Sequence, residues 1–374
     1  MISRTRMTAA AAAAAALLLA GASGAHADPM YTLSFLPSGF EASAINDAGQ
    51  VVGTAGGAAA ILSGGTLTGL GGIVGPGTGL GINNAGDVVG TIGPQFAGSA
   101  FAYRGGTLTN VGALLPADYA FSYASAINNG GAVGGTAIPP VGEGWHGFIY
   151  TGGGFQTIGT FGGDYSVLTG LNNHAAATGY ASLNGPALNQ PTHAFYYQGG
   201  GLHDLGTLGG TSSEGQALND AGDVVGWSQL TGDVVQHAFL YHGGSLLDLG
   251  SLGGATAQAL GINNLGAIVG NSYLADNSTL HAFLYQGGAL VDLNGVTSLS
   301  GGWQLTDAYD INEAGQILGT ACLGSSCSSV VLSPVPEPAT GTMLAAGLAV
   351  LAAGRRRLAR TGMRTPTRTR AREA

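Results

Sequence analysis

The sequence predicts an all-β fold made of repeated short strands, and three observations indicate it. The 374 residues include 69 Gly and 13 Pro, which favours many turns over long helices. Only 8% of the residues are charged whereas 45% are hydrophobic, so the composition differs from that of a disordered chain. A ten-residue phrase, GINNAGDVVG at 81–90, also returns in altered form along the chain. Such recurrence indicates a repeat architecture.

Seven repeats are recognised by an Ile or Leu at the start of this phrase. Their successive spacings are 37, 45, 44, 47, 44 and 49 residues. Periods near 44 residues with several strands each are typical of β-propeller blades. The marker residues, which number the repeats from 1 to 7, are Ile45, Ile82, Ile127, Leu171, Leu218, Ile262 and Ile311.

Repeat 5 shows how one repeat divides into strands. Residues 213–220 predict a first strand, and a tight turn ends at Gly222 because Gly adopts positive φ without strain. Residues 223–230 and 236–242 predict the second and third strands. After Gly243 and Gly244, which predict a hairpin turn, residues 245–250 form the fourth. The repeated phrase is therefore the hairpin between the first two strands.

The two ends of the repeat region predict how it closes. Repeat 7 stops after three strands, whereas residues 31–36 near the N-terminus read as an isolated fourth strand. We expect this segment to pair with the third strand of repeat 7, around residues 330–332. Residues 28–334 would then form a seven-bladed β-propeller. An open β-solenoid is the alternative, but it gives no reason for this complementarity.

The first 27 residues have the features of a signal peptide. Arg4 and Arg6 precede an apolar run at 9–20, and the small residues Ala25 and Ala27 flank the expected signal peptidase site. The mature protein is then expected to begin near Asp28. A buried Ala-rich helix is the alternative.

The C-terminus combines three elements in a fixed order. Pro336, Glu337 and Pro338 come first, an apolar stretch follows at 339–354, and Arg355, Arg356 and Arg357 come next. A 16-residue helix spans roughly 24 Å, a marginal but feasible membrane crossing. The arginines predict a cytoplasmic end, with residues 28–334 outside. The basic segment 361–374 is expected to be disordered.

This order resembles the PEP-CTERM sorting signal of Gram-negative bacteria, over residues 335–360. The resemblance implies processing by an exosortase near the Pro-Glu-Pro motif and an association with extracellular polysaccharide and biofilm. The family usually ends near its Arg cluster, whereas this chain continues from Leu358 to Ala374. A plain C-terminal anchor is the alternative.

The repeats themselves resemble a second family. HAFLYQGGALVDL at 281–293, with GINNLG at 261–266, is similar to the HAF extracellular repeats. This resemblance covers most of the body. It implies export and repetition, and it supplies no catalytic residues.

The body is strongly acidic. Residues 28–334 contain 18 Asp and Glu residues and one base, Arg104, which gives a formal charge of −17. Nucleic acid and anionic membrane surfaces are therefore poor partners. Neutral glycans or cations remain compatible, and nothing in the sequence indicates a cofactor.

Three histidines open the third strand of a repeat, and each has an Asp eleven residues later. At diagonal-neighbour distance across a hairpin such a pair can hydrogen bond. Because the pair recurs at one position in three repeats, a structural clamp is favoured over catalysis or metal binding. The pairs are His193 with Asp204, His237 with Asp248, and His281 with Asp292.

The two cysteines, Cys322 and Cys327, flank a turn in repeat 7. In an exported protein this spacing predicts a disulfide. A free thiol with its own function is the alternative.

Connection lengths indicate where a ligand would bind. The hairpin between the first two strands keeps one length, whereas the connections at the opposite end of the strands vary, and variable loops on a rigid scaffold commonly bind ligands. Indoles with nearby oxygens suit sugars, although both indoles could instead be wedged between blades. The candidate residues are Trp145, Trp303, Glu143, Asp164, Asp233, Asp276 and Asp307.

Together these features predict an exported, non-enzymatic protein of the cell surface or extracellular matrix, structural or glycan-binding. Its expected partners are signal peptidase, exosortase and extracellular polysaccharide, with a transient single-pass stay in the inner membrane. The alternative is a propeller enzyme that acts on polysaccharide.

Overall fold

The computed structural model describes residues 30–71, 75–94, 97–116, 119–139, 144–184 and 190–335. Apart from two 3-10 turns, at Gly112–Leu114 and Leu293–Gly295, the regular structure of these residues is β-strand. Within the same ranges, no helix is long and apolar enough to cross a membrane. The signal peptide, the transmembrane helix and the basic tail expected from the sequence lie outside the described residues.

The strands are of four kinds, named by their order in the sheet of each repeat. The first strands are β2 (Phe40–Ile45), β6 (Gly77–Ile82), β10 (Phe121–Ile127), β14 (Gly162–Leu171), β18 (Gly209–Leu218), β22 (Gly253–Ile262) and β26 (Gln304–Ile311). The second strands are β3 (Val51–Ala55), β7 (Val88–Ile92), β11 (Val133–Ile138), β15 (Ala177–Leu183), β19 (Val224–Leu230), β23 (Ile268–Leu274) and β27 (Ile317–Leu323). The third strands are β4 (Ala58–Ser63), β8 (Ser99–Arg104), β12 (His146–Tyr150), β16 (Thr192–Gln198), β20 (Gln236–His242), β24 (Leu280–Gln286) and β28 (Ser326–Pro334). The outer strands are β5 (Thr66–Gly69), β9 (Thr107–Asn110), β13 (Phe155–Thr157), β17 (Gly201–Asp204), β21 (Ser245–Gly250), β25 (Ala289–Asp292) and, for repeat 7, β1 (Tyr31–Phe35).

The strands of a repeat pair in order as an antiparallel sheet. Five of the sheets in the described residues have four strands. Repeats 5 and 6 share one eight-stranded sheet, because Gln236 of β20 makes a single parallel bridge to Thr256 of β22. The strand divisions expected for repeat 5 agree closely with β19, β20 and β21, whereas β18 begins earlier, at Gly209.

The N-terminal strand completes the last sheet. Strand β1 pairs antiparallel with β28, and the register places Leu33 opposite Leu332 and Phe35 opposite Val330. The strand that repeat 7 lacks is thus supplied from the other end of the sequence, at the residues the sequence indicated.

The repeated phrase has a specific local chemistry, seen clearly in repeat 5. The Asn219 side-chain oxygen accepts the backbone N–H of Asp223 at 2.9 Å and closes the turn. Gly222 has φ of 85°, a left-handed conformation that Gly adopts freely. Gly226 lies beside a bulge in β18, where a Cβ would collide with the carbonyl oxygen of Glu214. Asn219, Gly222 and Gly226 of the phrase therefore each have a separate steric or hydrogen-bonding role.

A ring of hydrogen bonds joins the turns of successive repeats. In each repeat, the residue after the turn Asn donates its backbone N–H to the side-chain oxygen of the equivalent residue in the next repeat. The last link returns from Glu313 N–H to Asp47 Oδ1, at 2.9 Å. We call these residues the amide ring: Asp47, Asn84, Asn129, Asn173, Asp220, Asn264 and Glu313.

The core lies between neighbouring sheets rather than within one. One buried cluster joins Val225 and Ala238 of repeat 5 to Ile268 and Phe283 of repeat 6. Since an isolated sheet leaves such apolar faces exposed, each repeat depends on its neighbours for burial. The same holds between repeats 7 and 1, where Leu318 packs with residues of repeat 1. We call this last junction the seam.

Repeat 4 departs from the phrase in one place, and this generates a prediction. Ala175 occupies the turn position that is Gly elsewhere, with φ of 57°, and its N–H still bonds to the Asn172 carbonyl. The left-handed region costs a non-Gly residue about 1–2 kcal/mol. This cost is larger than the extra chain entropy that a Gly at the same position would lose on folding. We expect Ala175→Gly to raise the free energy of unfolding by about 0.5–1 kcal/mol, measured by denaturant titration. The reverse change, Gly222→Ala in repeat 5, should lower the free energy of unfolding. Two variants that are each as stable as the parent would contradict this account.

Candidate functional site

The three His–Asp pairs lie within hydrogen-bond distance. His193 Nδ1 is 2.8 Å from both carboxylate oxygens of Asp204, and His237 Nδ1 is 2.9 Å from Asp248 Oδ1. His281 Nδ1 is 2.8 Å from Asp292 Oδ2. The register explains this, because each Asp lies opposite the Phe two residues after the His.

Each Asp also accepts the backbone N–H of the residue two positions later. The donors are Gly206 for Asp204 and Gly250 for Asp248, both at 2.7 Å, and Asn294 for Asp292 at 2.9 Å. The carboxylate therefore links the third strand to the end of the outer strand. Across the described residues, no group of three or more His, Cys, Asp and Glu side chains is placed to hold a metal ion. This geometry supports a structural role, in which each His–Asp pair joins the third and outer strands of its repeat.

A double-mutant cycle tests the fastening at its most buried copy. His281 is 9% exposed, so we expect His281→Ala and Asp292→Ala each to destabilise the protein by about 1–3 kcal/mol. The double variant should lose less than the sum, because either change breaks the same contact. Unfolding free energies from denaturant titration check this, with the exposed His203→Ala as a control. Full additivity would contradict the pairing.

Repeat 7 contains the expected disulfide. Cys322 and Cys327 are bonded with an S–S distance of 2.08 Å. They lie opposite each other on β27 and β28, so the bond restrains the hairpin beside the seam.

The amide ring surrounds a small polar depression. Its volume is about 220 Å³, and all seven repeats line it. The ring oxygens are already engaged: Asp220, for example, accepts the N–H of Asn173 at 2.9 Å and the side-chain amide of Asn264 at 3.0 Å. This end of the body is accordingly built for holding repeats together.

The other end of the strands is less uniform, and one position there varies in size from repeat to repeat. This position lies on the second strand, opposite the residue four before the marker Ile or Leu. Its occupants in repeats 1 to 7 are Thr54, Thr91, Thr136, Tyr180, Trp227, Asn271 and Thr320.

Large occupants of this position reach the following repeat. Asn271 donates from Nδ2 to Asp307 Oδ1 at 2.7 Å. Tyr180 lies close enough to Glu214 for the carboxylate to raise the pKa of the tyrosine, in addition to the larger effect of burial. Three of the four Thr occupants border an opening: Thr54 and Thr91 a groove, and Thr320 a pocket. The fourth, Thr136, is buried and accepts the N–H of Leu168 in the next repeat.

The groove lies across repeats 1, 2 and 3. It has a volume of about 580 Å³, within the range of roughly 300–1,000 Å³ typical of small-molecule sites, and Trp145, Phe121 and Tyr123 form part of its wall. Trp145 is 42% exposed, and the rings of Phe121 and Tyr123 are 6.0 Å apart. Among the described residues that line it, none is Asp, Glu, Lys, Arg or His, and burial raises the pKa of Tyr123, so this part of the wall is uncharged.

Trp303, the second indole expected at a binding site, has a different environment. Its ring packs edge-on against Phe35 of β1, with centroids 4.8 Å apart. It covers the buried cluster of repeats 6 and 7 and does not line the groove. Trp303 therefore packs against the N-terminal strand β1, whereas Trp145 lines the groove.

Three of the acidic candidates already accept hydrogen bonds from the protein. Asp233 accepts the N–H of Thr211 at 2.7 Å, and Asp276 accepts from Ser278 and Thr279, which lowers the pKa of Asp276. Asp307 is held by Asn271, as above. Asp164 has one buried oxygen without a partner among the described residues. Glu143 lies outside the described residues.

Two carboxyls that no sequence motif indicated have strongly raised pKa values. Burial raises the pKa of Glu214 to about 7, against the effect of a hydrogen bond with Trp227. Burial likewise raises the pKa of Asp310 to about 6, against the hydrogen bonds from Ile45 and Ile311. A signal for Asp310 existed, because the residue before the marker is Ala or Gly in the other six repeats.

Asp310 makes seam stability depend on pH. Its Oδ2 accepts the N–H of Ile45 at 2.8 Å. Because its folded pKa is above the usual value of 3.8, the folded state holds more protons between about pH 4 and 6. The free energy of unfolding should therefore fall as pH rises through this window.

Asp310→Asn keeps an oxygen for Ile45 and removes the charge. We expect the variant to be more stable than the parent by about 1–3 kcal/mol at neutral pH, with the difference shrinking toward pH 4. Thermal unfolding of both proteins across this range measures it. Parallel pH profiles would contradict a role for this carboxyl.

The C-terminus carries a recognised targeting motif. Residues 334–357 match the model of the PEP-CTERM protein-sorting motif. This motif implies export with sorting to the cell envelope, and it is associated with exosortase processing. No curated protein matches the sequence, and the likeness of the body to HAF repeats remains a prediction.

Solved structures resemble the body in fold. The β-propeller domain of the Trilobed protease from Pyrococcus furiosus, described as having an open velcro topology, is 9% identical with a TM-score of 0.52, over 80% of this chain and 96% of that one. An acylaminoacyl peptidase from Pyrococcus horikoshii is 9% identical with a TM-score of 0.51, over 78% of this chain and 51% of that one. At these identities the likeness indicates a propeller-like fold and nothing about activity.

Proposed function

We propose that this protein is a non-enzymatic, glycan-binding component of the cell surface or extracellular matrix, with its seven repeats arranged as propeller blades. The sorting motif at 334–357 supports the location, with exosortase processing and a biofilm role as parts of the proposal. The amide ring supports the blade arrangement, since its links run through seven repeats and return to the first.

The observation that carries the binding proposal is the half-exposed Trp145 on an uncharged 580 Å³ groove. Aromatic faces accept the apolar face of a sugar ring, and the hydroxyls of Thr78 and Thr91 on the same wall serve its polar edges. Because the body carries a formal charge of −17, it repels acidic polymers. The proposed ligand is therefore a neutral polysaccharide.

Binding of neutral and acidic oligosaccharides to the full chain tests this. We expect neutral glycans to bind and to change the tryptophan fluorescence, whereas polyuronates do not bind. Trp145→Ala should weaken binding by about tenfold or more, a loss of about 1.4 kcal/mol. Leu265→Ala is the matched control, because Leu265 is 77% exposed but lies in the turn at the opposite end of the strands. Equal affinity of Trp145→Ala and the parent would refute the groove as the site.

A polysaccharide-acting enzyme is the second candidate, and the raised pKa of Glu214, about 7, favours it. Perturbed carboxyls of this kind occur at catalytic sites, although burial alone accounts for the raised pKa. Release of new reducing ends from the bound glycans, lost in Glu214→Gln, would support the enzyme. Intact glycans after long incubation would support the binding protein.

A further inference from the structure

The seam contains a second opening with a different chemistry. It has a volume of about 410 Å³ and lies between the first strand of repeat 1 and the last sheet. Glu41, Tyr309, Thr320, Ser328 and Ser329 line it. The volume falls within the range of small-ligand pockets, and the wall holds one carboxylate among several hydroxyls.

The pocket exists because of the residue at Thr320. Where the same second-strand position is Tyr180 or Asn271, the longer side chain approaches the following repeat at Glu214 or Asp307. At the seam, the short Thr320 and Glu41 both line the pocket, and no hydrogen bond joins their side chains among the described residues. The Thr320 side chain interacts instead with the Tyr309 hydroxyl. The unfilled junction is the cavity.

Hydrogen bonds hold the walls of this pocket in place. Ala42 is fixed on both sides, because its N–H donates to Ser329 Oγ at 3.1 Å and its carbonyl accepts from the Tyr309 hydroxyl at 3.0 Å. The segment that leads from β1 into repeat 1 is held by the N–H of Leu36 on the Ser329 carbonyl, at 3.0 Å. A ligand would meet a preformed site and would lose little affinity to ordering it.

The charges around the pocket are all of one sign. Glu41 is exposed on its wall. Burial raises the pKa of the Tyr309 hydroxyl, and the nearby Asp310 and Asp307 raise it further. The sequence holds no Lys, and Arg104, the one Arg between residues 28 and 334, donates to the Gly131 carbonyl. Among the described residues, Glu41 forms no ion pair.

We propose that the seam pocket binds a protonated amino sugar, with its ammonium group on Glu41 and its ring hydroxyls on Thr320, Ser328 and Ser329. A charged donor on a carboxylate makes a stronger hydrogen bond than a neutral hydroxyl does. The site differs in ligand charge from the groove at Trp145 and stands independently of it.

Three sugars with one ring skeleton test the proposal: glucosamine, glucose and N-acetylglucosamine. Calorimetric titration of the full chain would be run at about pH 6.5, where the amine is protonated, and at constant ionic strength so that diffuse attraction to the acidic body is screened. We expect glucosamine to bind at least tenfold more tightly than the two neutral sugars. Absence of saturable glucosamine binding, or equal affinity for all three, would overturn the proposal.

Variants locate the site. Glu41→Gln should weaken glucosamine binding at least tenfold, and Thr320→Trp should abolish it by filling the junction. Asp233→Asn, which removes an exposed carboxylate at the same end of the strands, should leave it unchanged. Trp145→Ala should also leave it unchanged, so that failure of the groove and failure of the pocket are distinguished.

Full glucosamine affinity in Glu41→Gln or in folded Thr320→Trp would show that the sugar binds elsewhere. If Thr320→Trp does not fold, the exposed Glu41→Gln variant decides the question alone.

Discussion

One hydrogen bond per repeat, from a backbone N–H to a side-chain oxygen of the next repeat, is the contact on which the remaining structure depends. The amide ring fixes the distance between neighbouring turns, and a second set of bonds from the turn asparagines, such as Asn312 Nδ2 to the Asn46 carbonyl at 2.9 Å, lies beside it. With the turns held, the sheets meet face to face and bury the apolar residues between them. Neither the core nor the openings would have a defined geometry without this frame.

Conserved turns at one end allow variation at the other. The phrase residues are committed to turn closure, bulge clearance and links between repeats, so they tolerate little change. The second-strand position opposite the residue four before the marker takes no part in turn closure, and its side chain ranges from Thr to Trp. Three of its short Thr residues border an opening, whereas Asn271 contacts the next repeat. A family of such repeats could alter its ligands by changing this position without disturbing the frame.

Much of the architecture was readable from the sequence because it repeats. Periodic spacing predicted the strands, the eleven-residue separation predicted the contact between His281 and Asp292, and the missing outer strand of repeat 7 predicted the pairing of β1. These features depend on local register, which sequence spacing determines.

The candidate site was harder to read because it depends on neighbours in space. Trp145 and Trp303 are not distinguished by the sequence. In the structure Trp303 packs against Phe35, whereas Trp145 lines the groove. Asp233 and Asp276 were expected to supply ligand oxygens, but in the structure they accept backbone N–H groups, from Thr211 of β18 and from Ser278 of the same turn. Glu214 and Asp310 carry perturbed pKa values only because neighbouring repeats bury them, and no linear motif records that.

The pairing of β1 with β28 also determines at what stage of folding the last sheet is completed, and where the two ends of the body lie. Tyr31 and Pro334 are partners in this ladder, although Thr32 and Ser333 beside them are 301 residues apart in the chain. A protein exported from its N-terminus must therefore keep its first strand unpaired until its last repeat emerges. Once that happens, the chain enters and leaves the body at adjacent points, a strand's width apart. The sorting motif, which begins at residue 334, therefore starts beside the first strand of the body.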